Sequence, residues 1–572
     1  MRRRGFFGAQ VIQYPNQGDA FMFFGMSRKS AALSLFFVLA CIIASSAGAT
    51  VHYVKPMGAG AGTSWEDAGP LQATVYAAAA GDEVWVAAGT YKSTQNPVLI
   101  MKGGVALYGG FTGVEESADE RNWAVNPAII DGENVRGCVR GANNARLDGF
   151  TISNGKWTAL GGGLSNDTVS PTVANCTFAE NWGGFGGAIY NENASPVITD
   201  CIFSGNNSDW DGGAIYNEMS SPSISGCLFS GNSSLRRGGA MCNNAALPEV
   251  TDCVFIENAA AVSGGGMYNE ESSPRIVHCR FEGNTAERGG GMYIGEDSAP
   301  RVIQCTFTLN VAVFSGGGIF NVSALPTLTA CTIVANTSST GSGGGITNSA
   351  SALTLSNSLV VDNFAQTEGG GLYNEISAPL VIVNCTVAGN TSNTAGGGGI
   401  YNLQSEPELV NSIFWDNQGS GGQVSNVVGT PLLQVKYCCI GGGYAGTGNI
   451  DTDPLFEDAS SGDYRLQAGS LCIDSGTDVD APEDDIRGVA RPQDEGYDMG
   501  AYEYRLEIPH PADTDENFVM VMSEVIAYLL GWQQGTNPMT TAIRAVYLWQ
   551  VGEYYGYDPE KAPPMCWIPR RP

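Results

Sequence analysis

"CLFSGN", Cys227 to Asn232, decides how this chain is read, because the same phrase returns along it. "CTFAEN" begins at 176, "CIFSGN" at 201, "CVFIEN" at 253, "CRFEGN" at 279 and "CTFTLN" at 305, a spacing of 25 or 26 residues. The Cys column runs Cys176, Cys201, Cys227, Cys253, Cys279, Cys305, Cys331, Ser358, Cys385, Ser412. Five residues on, every unit carries Asn, from Asn181 to Asn417, and two residues after the Cys stands Phe, Ile or Val. Ahead of each Cys come a Gly pair or triplet and often Tyr-Asn, as at 190–191, 216–217, 268–269, 373–374 and 401–402. Ten such units define a repeat architecture.

Alternation along a strand puts Cys and Phe on one face and the residues between them on the other. A unit of this size, with two or three short strands and Gly or Asn at its corners, cannot bury its apolar face alone. Stacked units can, each coil pairing in parallel with the next at about 4.8 Å. Like side chains then sit above one another as thiols, rings and amides. The expected fold is all-β, a right-handed parallel β-helix, and its coils make the phrase recur because each must offer its neighbour the same side chain.

Composition agrees: 572 residues with 77 Gly and only 15% charged residues suit many short strands joined by turns. The balance of 28 basic against 57 acidic residues gives −29, which disfavours nucleic acid and anionic lipid and suits cations or neutral partners. After Met26, "MSRK", "AALSLFFVLACIIASS" and "AGA" at 47–49 read as the basic, apolar and cleavage parts of a secretory leader. The mature chain is expected to start near Thr50, just after Ala49, and no later apolar run is long enough to span a bilayer.

"GGAIY" (186–190, 212–216) followed by the "FxxN" phrase (178–181, 203–206, 229–232) resembles the repeats of the polymorphic outer-membrane protein family over roughly 160–420. That family's translocating barrel is not implied, since no series of alternating amphipathic strands follows. "PLQATVYAAAAGDEVWVAAGTY" (70–91) reads as a short helix stopped at Gly81, then a strand, and resembles the cap helix of secreted β-helices. "GVALYGGF" (104–111), "AIIDGEN" (128–134) and "LDGFTISNG" (147–155) read as irregular first coils.

"DPLF" (453–456), "GDYRLQAGSLCIDSG" (462–476), "DDIRGVARP" (484–492) and "DMGAYEY" (498–504) together resemble the choice-of-anchor Q domain, which implies a cell-surface role without a defined chemistry. "DTDENFVMVMSE" (513–524) reads as a calcium loop, with Asp513, Asp515 and Asn517 at positions 1, 3 and 5, the Val519 carbonyl at 7 and Glu524 at 12. Helical sequence follows, and Asn537-Pro538 opens a second helix to about Tyr555. This tail resembles half of a dockerin or EF-hand module, although Phe518 replaces the usual Gly and the alternative reading is a capped helix with solvated acids. The expected organisation is a leader over 1–49, a cap and first coils over 50–160, repeats over 161–446, an anchor-like domain over 447–504, a linker over 505–512 and a helical module over 513–572.

For chemistry on the coils, "HCRFEG" offers His278, Arg280 and Glu282 alternating outward on one strand, with Asp252 one coil away. An acid, a base and a cation there would suit a sugar acid; cross-strand ion pairs on a solvated face are the plainer reading. Arg275 and Arg301 form a short column beside Glu249. Glu192, Glu218, Asn244, Glu270 and Glu296 form an acidic column whose repulsion a bound calcium ion would relieve. The Gly runs lack the Lys-Ser/Thr of a phosphate loop and read as corners. The stacked thiols are expected reduced, because parallel side-chain vectors hold the Cβ atoms apart. Cys439 with Cys472 is the expected bridge, with Cys438 competing.

The whole reads as a secreted or outer-surface protein, non-catalytic, whose rigid face binds a polysaccharide or cell-surface glycan. The alternative is a polysaccharide lyase or glycoside hydrolase docked to a cohesin-like scaffold through residues 513–572.

Overall fold

The computed structural model describes residues 49–376, 380–394, 396–405, 407–427, 434–505, 511–512, 521–533, 537–550, 555–557 and 563–569. The leader reading of 1–48, and with it Met26, lies outside them. From Val51 onward the chain winds as a parallel β-helix, as the repeat predicts. Each coil contributes four short strands where two or three were expected. In one coil they are Val197–Thr199, Ile202–Ser204, Asn207–Ser208 and Ile215–Glu218. Stacking gives parallel sheets of 15, 14, 10 and 13 strands in that order around the coil, among the described residues.

Register is kept by columns of identical side chains. Phe178, Phe203, Phe229, Phe255, Phe281 and Phe307 stack with successive ring centroids 5.1, 4.7, 4.6, 4.6 and 4.7 Å apart, all fully buried. The Asn column closes the next corner. Each amide gives one hydrogen to the backbone carbonyl two positions into the preceding coil's phrase and the other to the next Asn, as Asn206 does to Phe178 O and Asn232 Oδ1, both at 2.9 Å. That Oδ1 also accepts the backbone N–H of Asn206 at 3.0 Å, so a buried amide leaves no donor unpaired. The ladder ends at Asn417, whose amide donates to Gln423 Oε1 at 2.7 Å.

A second Asn ladder runs on the last sheet, Asn166 to Asn191 to Asn217 to Asn243 to Asn269, each step 2.8 Å. The sharp bends are made by residues in the left-handed region, and at Gly212, Gly238 and Gly264 a Cβ would lie 2.3–2.4 Å from a carbonyl oxygen three residues on. Only glycine fits those corners.

Helix α1 (Leu71–Ala77) ends four residues before Gly81 and puts Leu71 and Val75 in the same apolar cluster as Val84 and Leu99 of the first coils. Lys102 donates to the carbonyls of Tyr76 (2.8 Å) and Ala78 (2.5 Å), satisfying groups at the end of α1 that lack partners within the helix.

At the other end the coils stop at Gln434–Lys436 and Cys439–Ile440, and residues 453–504 fold back over the second sheet. A hairpin, Phe456–Asp458 with Asp463–Leu466, sets Tyr464 against Leu359, Val361 and Ala388. Arg491 pairs with Glu503 at 2.7 Å with both side chains sealed from solvent, and its guanidinium also reaches Asn357 of the coils at 3.4 Å. Cys439 and Cys472 meet in a buried cluster with Ile413, Leu466 and Met499, and both are free thiols. In the tail, α2 (Met522–Gln533) and α3 (Met539–Gln550) share a small core with Cys566 and Trp567, and Tyr528 and Trp549 pack against it. The second of these helices is described to Gln550, and the residues between it and the strand Tyr555–Tyr557, where its expected end falls, lie outside the described ones.

Candidate functional site

The corner that precedes each Asn is a left-handed residue: Glu180, Gly205, Gly231, Glu257, Gly283, Leu309, Ala335, Asp362, Gly389, Asp416. Near the end of the coils this column reads acid, glycine, acid. A Cβ at Gly389 would lie 2.3 Å from Asp362 Oδ1, so the missing side chain makes room for the Asp362 carboxylate to lie over that coil towards Asp416. Beside them Trp415 is half-buried, with Gly441 of the next coil under its ring: a Cβ there would stand 3.1 Å from Trp415 Cε3.

The returning chain walls this corner in. The 3-10 turn Ala459–Ser461, capped by the Asp458 carboxylate and closed by Gly462 in the left-handed region, reverses the hairpin so that Phe456 and Tyr464 face the coils. The result is a cleft of about 590 Å³ lined by Asp362, Trp415, Asp416, Asp453, Leu455, Phe456, Ser460, Tyr464 and Gln467. Burial, and after it the charge of Asp416, holds the Asp362 carboxyl above the usual range. Tyr464 donates its hydroxyl to Asp362 Oδ2 at 3.4 Å, which partly offsets this, and burial followed by the Asp362 charge pushes the Tyr464 phenol up. An aromatic floor with carboxylate, amide and hydroxyl groups around it can hold a polar ring compound by stacking and hydrogen bonds.

A larger hollow of about 710 Å³ lies by α1, lined by Lys55, Gln72, Tyr76, Tyr91 and Lys92 among others. Its cations are engaged: Lys92 pairs with Asp131 at 3.3 Å and Glu133 at 3.2 Å, and Lys55 lies over the Trp65 ring.

The sequence-predicted residues lie elsewhere. His278 is not on a strand with Arg280 and Glu282; it occupies the left-handed corner before that strand, in one column with Asp252 and Gln304. The period-2 argument fails there because the chain turns between His278 and Cys279. His278 contacts Asp252 Oδ1 at 3.4 Å and Gln304 Oε1 at 2.7 Å, Arg280 is ion-paired to Glu282, and Arg275 to Glu249 at 3.1 Å. All of these side chains are about half exposed or more except that of Glu282, at 28%.

Glu192, Glu218, Asn244 and Glu270 are in register as expected. Glu296 is not: Ile294 pairs with Asn269, which leaves Gly295 opposite Glu270 and Glu296 exposed one residue beyond. Repulsion in the column is met by neutral donors, from Tyr190 to Glu192 (3.0 Å), Tyr216 to Glu218 (2.6 Å), Tyr268 to Glu270 (2.6 Å) and Asn244 to Glu218 (2.8 Å).

Of the calcium-loop residues, Asp513, Asp515, Asn517 and Val519 lie outside the described residues. Glu524 is buried and accepts the N–H of Val521 at 3.2 Å, reaching back over the first turn of α2 as a capping carboxylate does. Among the described residues no three His, Cys, Asp or Glu side chains converge to hold a metal ion.

The cleft at Trp415 was missed because its walls come from segments far apart in sequence, Asp362 and Tyr464 being 102 residues apart. The available signal was the pair Asp362 and Asp416 in a corner column otherwise rich in glycine.

Among solved structures, the chain is similar to pectate lyase Pel9A, at 12% identity and TM-score 0.34 over 80% of this chain and 96% of that one. It is also similar to XylC in complex with xylose (11%, 0.36, 80% and 98%) and to the A-module of the Azotobacter vinelandii mannuronan C-5 epimerase AlgE6 (13%, 0.33, 67% and 94%). Likeness at this level assigns no substrate to this chain. No curated protein matches it. The model of the right-handed beta helix region matches residues 89–229, 138–307 and 220–378, together more than half of the chain. With its coils, ladders and registers as described, the chain belongs to the right-handed β-helix family.

Proposed function

We propose that this is a secreted or cell-surface protein that binds glycan, and that the cleft at Trp415 is where a sugar unit sits. The observation that carries the reading is the half-buried Trp415 ring set among Asp362, Asp416, Asp453 and Gln467 in a cleft of about 590 Å³. Pyranose rings present an apolar C–H face and a rim of hydroxyl groups, which matches an aromatic platform ringed by hydrogen-bond acceptors. The stack of coils fixes Trp415 in register with Ala388, and the hairpin packed on the second sheet sets Phe456 and Tyr464 opposite it. The C-terminal modules serve to position the protein at a surface or on a scaffold partner, with calcium at the 513–524 loop as part of that docking.

The test is a glycan array on residues 50–572, with and without calcium, followed by titration of the strongest ligand into Trp415→Ala. Binding weakened tenfold or more by the substitution is expected. Unchanged affinity would remove the cleft from the reading.

An enzymatic reading has one observation in its favour. Asp362, held above the usual range by burial and by the neighbouring Asp416 charge, shares the cleft with a second carboxyl group, and glycoside hydrolysis uses a pair of carboxyl groups in unlike surroundings. Release of reducing ends that Asp362→Asn abolishes would support it; their absence from every polymer bound would end it.

A further inference from the structure

Between Lys156 and Lys436 the chain has no Lys and six Arg: 236, 237, 275, 280, 288 and 301. In a protein of formal charge −29, a cation on the coils is expected to find a carboxylate. Arg275 and Arg280 do, with Glu249 and Glu282, and Arg236 lies 3.9 Å from Asp211. Arg237, Arg288 and Arg301 do not: among the described residues none of the three makes an ion pair, and of these Arg237 and Arg288 share a column.

These two occupy one column at the glycine corner, where Arg237 bridges to Ser263 and Ser263 to Arg288. Two coil spacings separate them, roughly 10 Å. Each guanidinium lies over an aromatic ring of a following coil, Arg237 over Tyr268 at 4.9 Å and Arg288 over Phe314 at 5.8 Å. Stacking of this kind occupies the faces of the guanidinium, while the in-plane N–H donors remain for a ligand. The same corner exposes Trp210 and Phe314, each 43% accessible. Trp210 in turn packs on Phe185, with ring centroids 4.8 Å apart.

We propose that this strip, Arg237 and Arg288 with Trp210 and Phe314, is a second binding site and takes an acidic polysaccharide lying along the coil axis. Two planar forks about a disaccharide apart suit carboxylate or sulfate groups on successive units of a chain, and the exposed rings one coil before Arg237 and one coil after Arg288 suit the sugar faces. Asp211 stands in the same column, bridged to Arg237, and its charge acts on Arg237; its side chain is 6% exposed and its carboxylate lies 3.9 Å from Arg236. The remaining acids of the neighbourhood are Glu270, whose carboxylate is engaged by the Tyr268 hydroxyl, and the partly buried Glu287. That the two Arg share a column appears once Gly238 and Gly289 are aligned.

The test is titration calorimetry on residues 50–572 with a polygalacturonate, a sulfated galactan, a neutral galactan and a single-stranded oligonucleotide. The expected result is that one or both acidic polysaccharides bind, at least tenfold more tightly than the neutral one and with affinity falling as salt rises. Preference between them identifies carboxylate or sulfate as the recognised group. Arg237→Gln with Arg288→Gln should abolish that preference, Arg288→Gln alone should weaken it several-fold, and Trp415→Ala should leave it intact, which separates this site from the cleft. Arg288 is exposed, so its single variant tests the site without risk to folding. Equal binding of acidic and neutral galactans, an unchanged affinity in a double variant that melts like wild type, or equal binding of the oligonucleotide would each overturn the proposal.

Discussion

Asn232 and Asn258, one coil apart, share a single oxygen: Asn258 Oδ1 accepts both the side-chain amide of Asn232 at 2.9 Å and its backbone N–H at 3.0 Å. The corner and the contact between coils are therefore one interaction, and neither can be lost without the other. Asn258→Leu should orphan two buried donors of Asn232 and the carbonyl of Phe229, to which Asn258 donates at 3.0 Å. At about 1–3 kcal/mol per unsatisfied group, a loss of several kcal/mol is expected, read as a lower urea midpoint by circular dichroism.

Phe229 stands mid-column, its ring 4.7 Å from Phe203 and 4.6 Å from Phe255. Phe229→Ala removes a fully buried ring from a stack that cannot collapse sideways, because the backbone spacing is set by the sheets. A cost of about 3–5 kcal/mol is expected, and Phe229→Leu should cost well under half of it. Because coils contact only their neighbours, the damaged array should unfold in two steps, which limited proteolysis would show as a protected fragment.

Arg491 and Glu503 form an ion pair sealed between the anchor-like segment and the coils. Removing one partner, as in Glu503→Gln or Arg491→Met, leaves a buried charge without its counterpart and should cost about 3–5 kcal/mol. Arg491→Met combined with Glu503→Leu should cost much less than the sum of the single changes. A double-mutant cycle on thermal melts measures the difference.

Asp498 is 2% exposed and beside Glu503, and burial followed by that neighbouring charge raises its carboxyl from 3.8 to about 7; N–H groups of Tyr504 and Asp474 and the nearby Arg491 charge act the other way. The folded chain therefore keeps a proton that the unfolded chain releases near pH 4, so stability should fall as the pH rises from about 4 to about 7 and level off above. Melting of residues 50–572 between pH 5 and 8 should show this slope, and Asp498→Asn should flatten it. Glu503, also raised by burial with Arg491 opposing, is the neighbouring carboxyl whose charge acts on Asp498.

Fourteen cysteines from Cys138 to Cys566 are buried and free. Burial pushes the Cys331 and Cys385 thiols up to about 12, so they are un-ionised and unreactive at neutral pH. Native protein should resist a thiol reagent that titrates these cysteines after denaturation. Cys439 with Cys472 is the pair expected to bridge on oxidation, since the two lie in one buried cluster. A mass lower by two protons than the fully reduced chain, with the linked peptides identified, would establish it.

The columns of Cys, Phe and Asn made the coils legible, because a solenoid repeats its contacts at one sequence spacing and one strand of the argument predicts all the rest. The fourth strand of each coil was not legible, since pairs such as Asn207–Ser208 and Ala259–Ala260 carry no alternation to detect. His278 was misplaced for a related reason: alternation was carried across a left-handed corner, which cancels it. The acidic column was seen, but its tyrosine donors were not, because Tyr268 and Glu270 were treated as separate patterns although they are neighbours on one strand face. The cleft at Trp415 depends on where the chain returns after residue 452, and nothing in the coil period encodes that.

The amide ladder also gives the molecule a direction. Every Asn from Asn181 to Asn390 passes its hydrogen towards the C-terminal end, so a severed stack would present hungry acceptors on one cut surface and idle donors on the other. Two such surfaces fit each other. Gln423, by taking the last hydrogen from Asn417, plugs the donor end, and loss of that plug together with the returning segment would turn a discrete particle into a unit able to join others head to tail, as an unguarded strand edge does in a growing fibre.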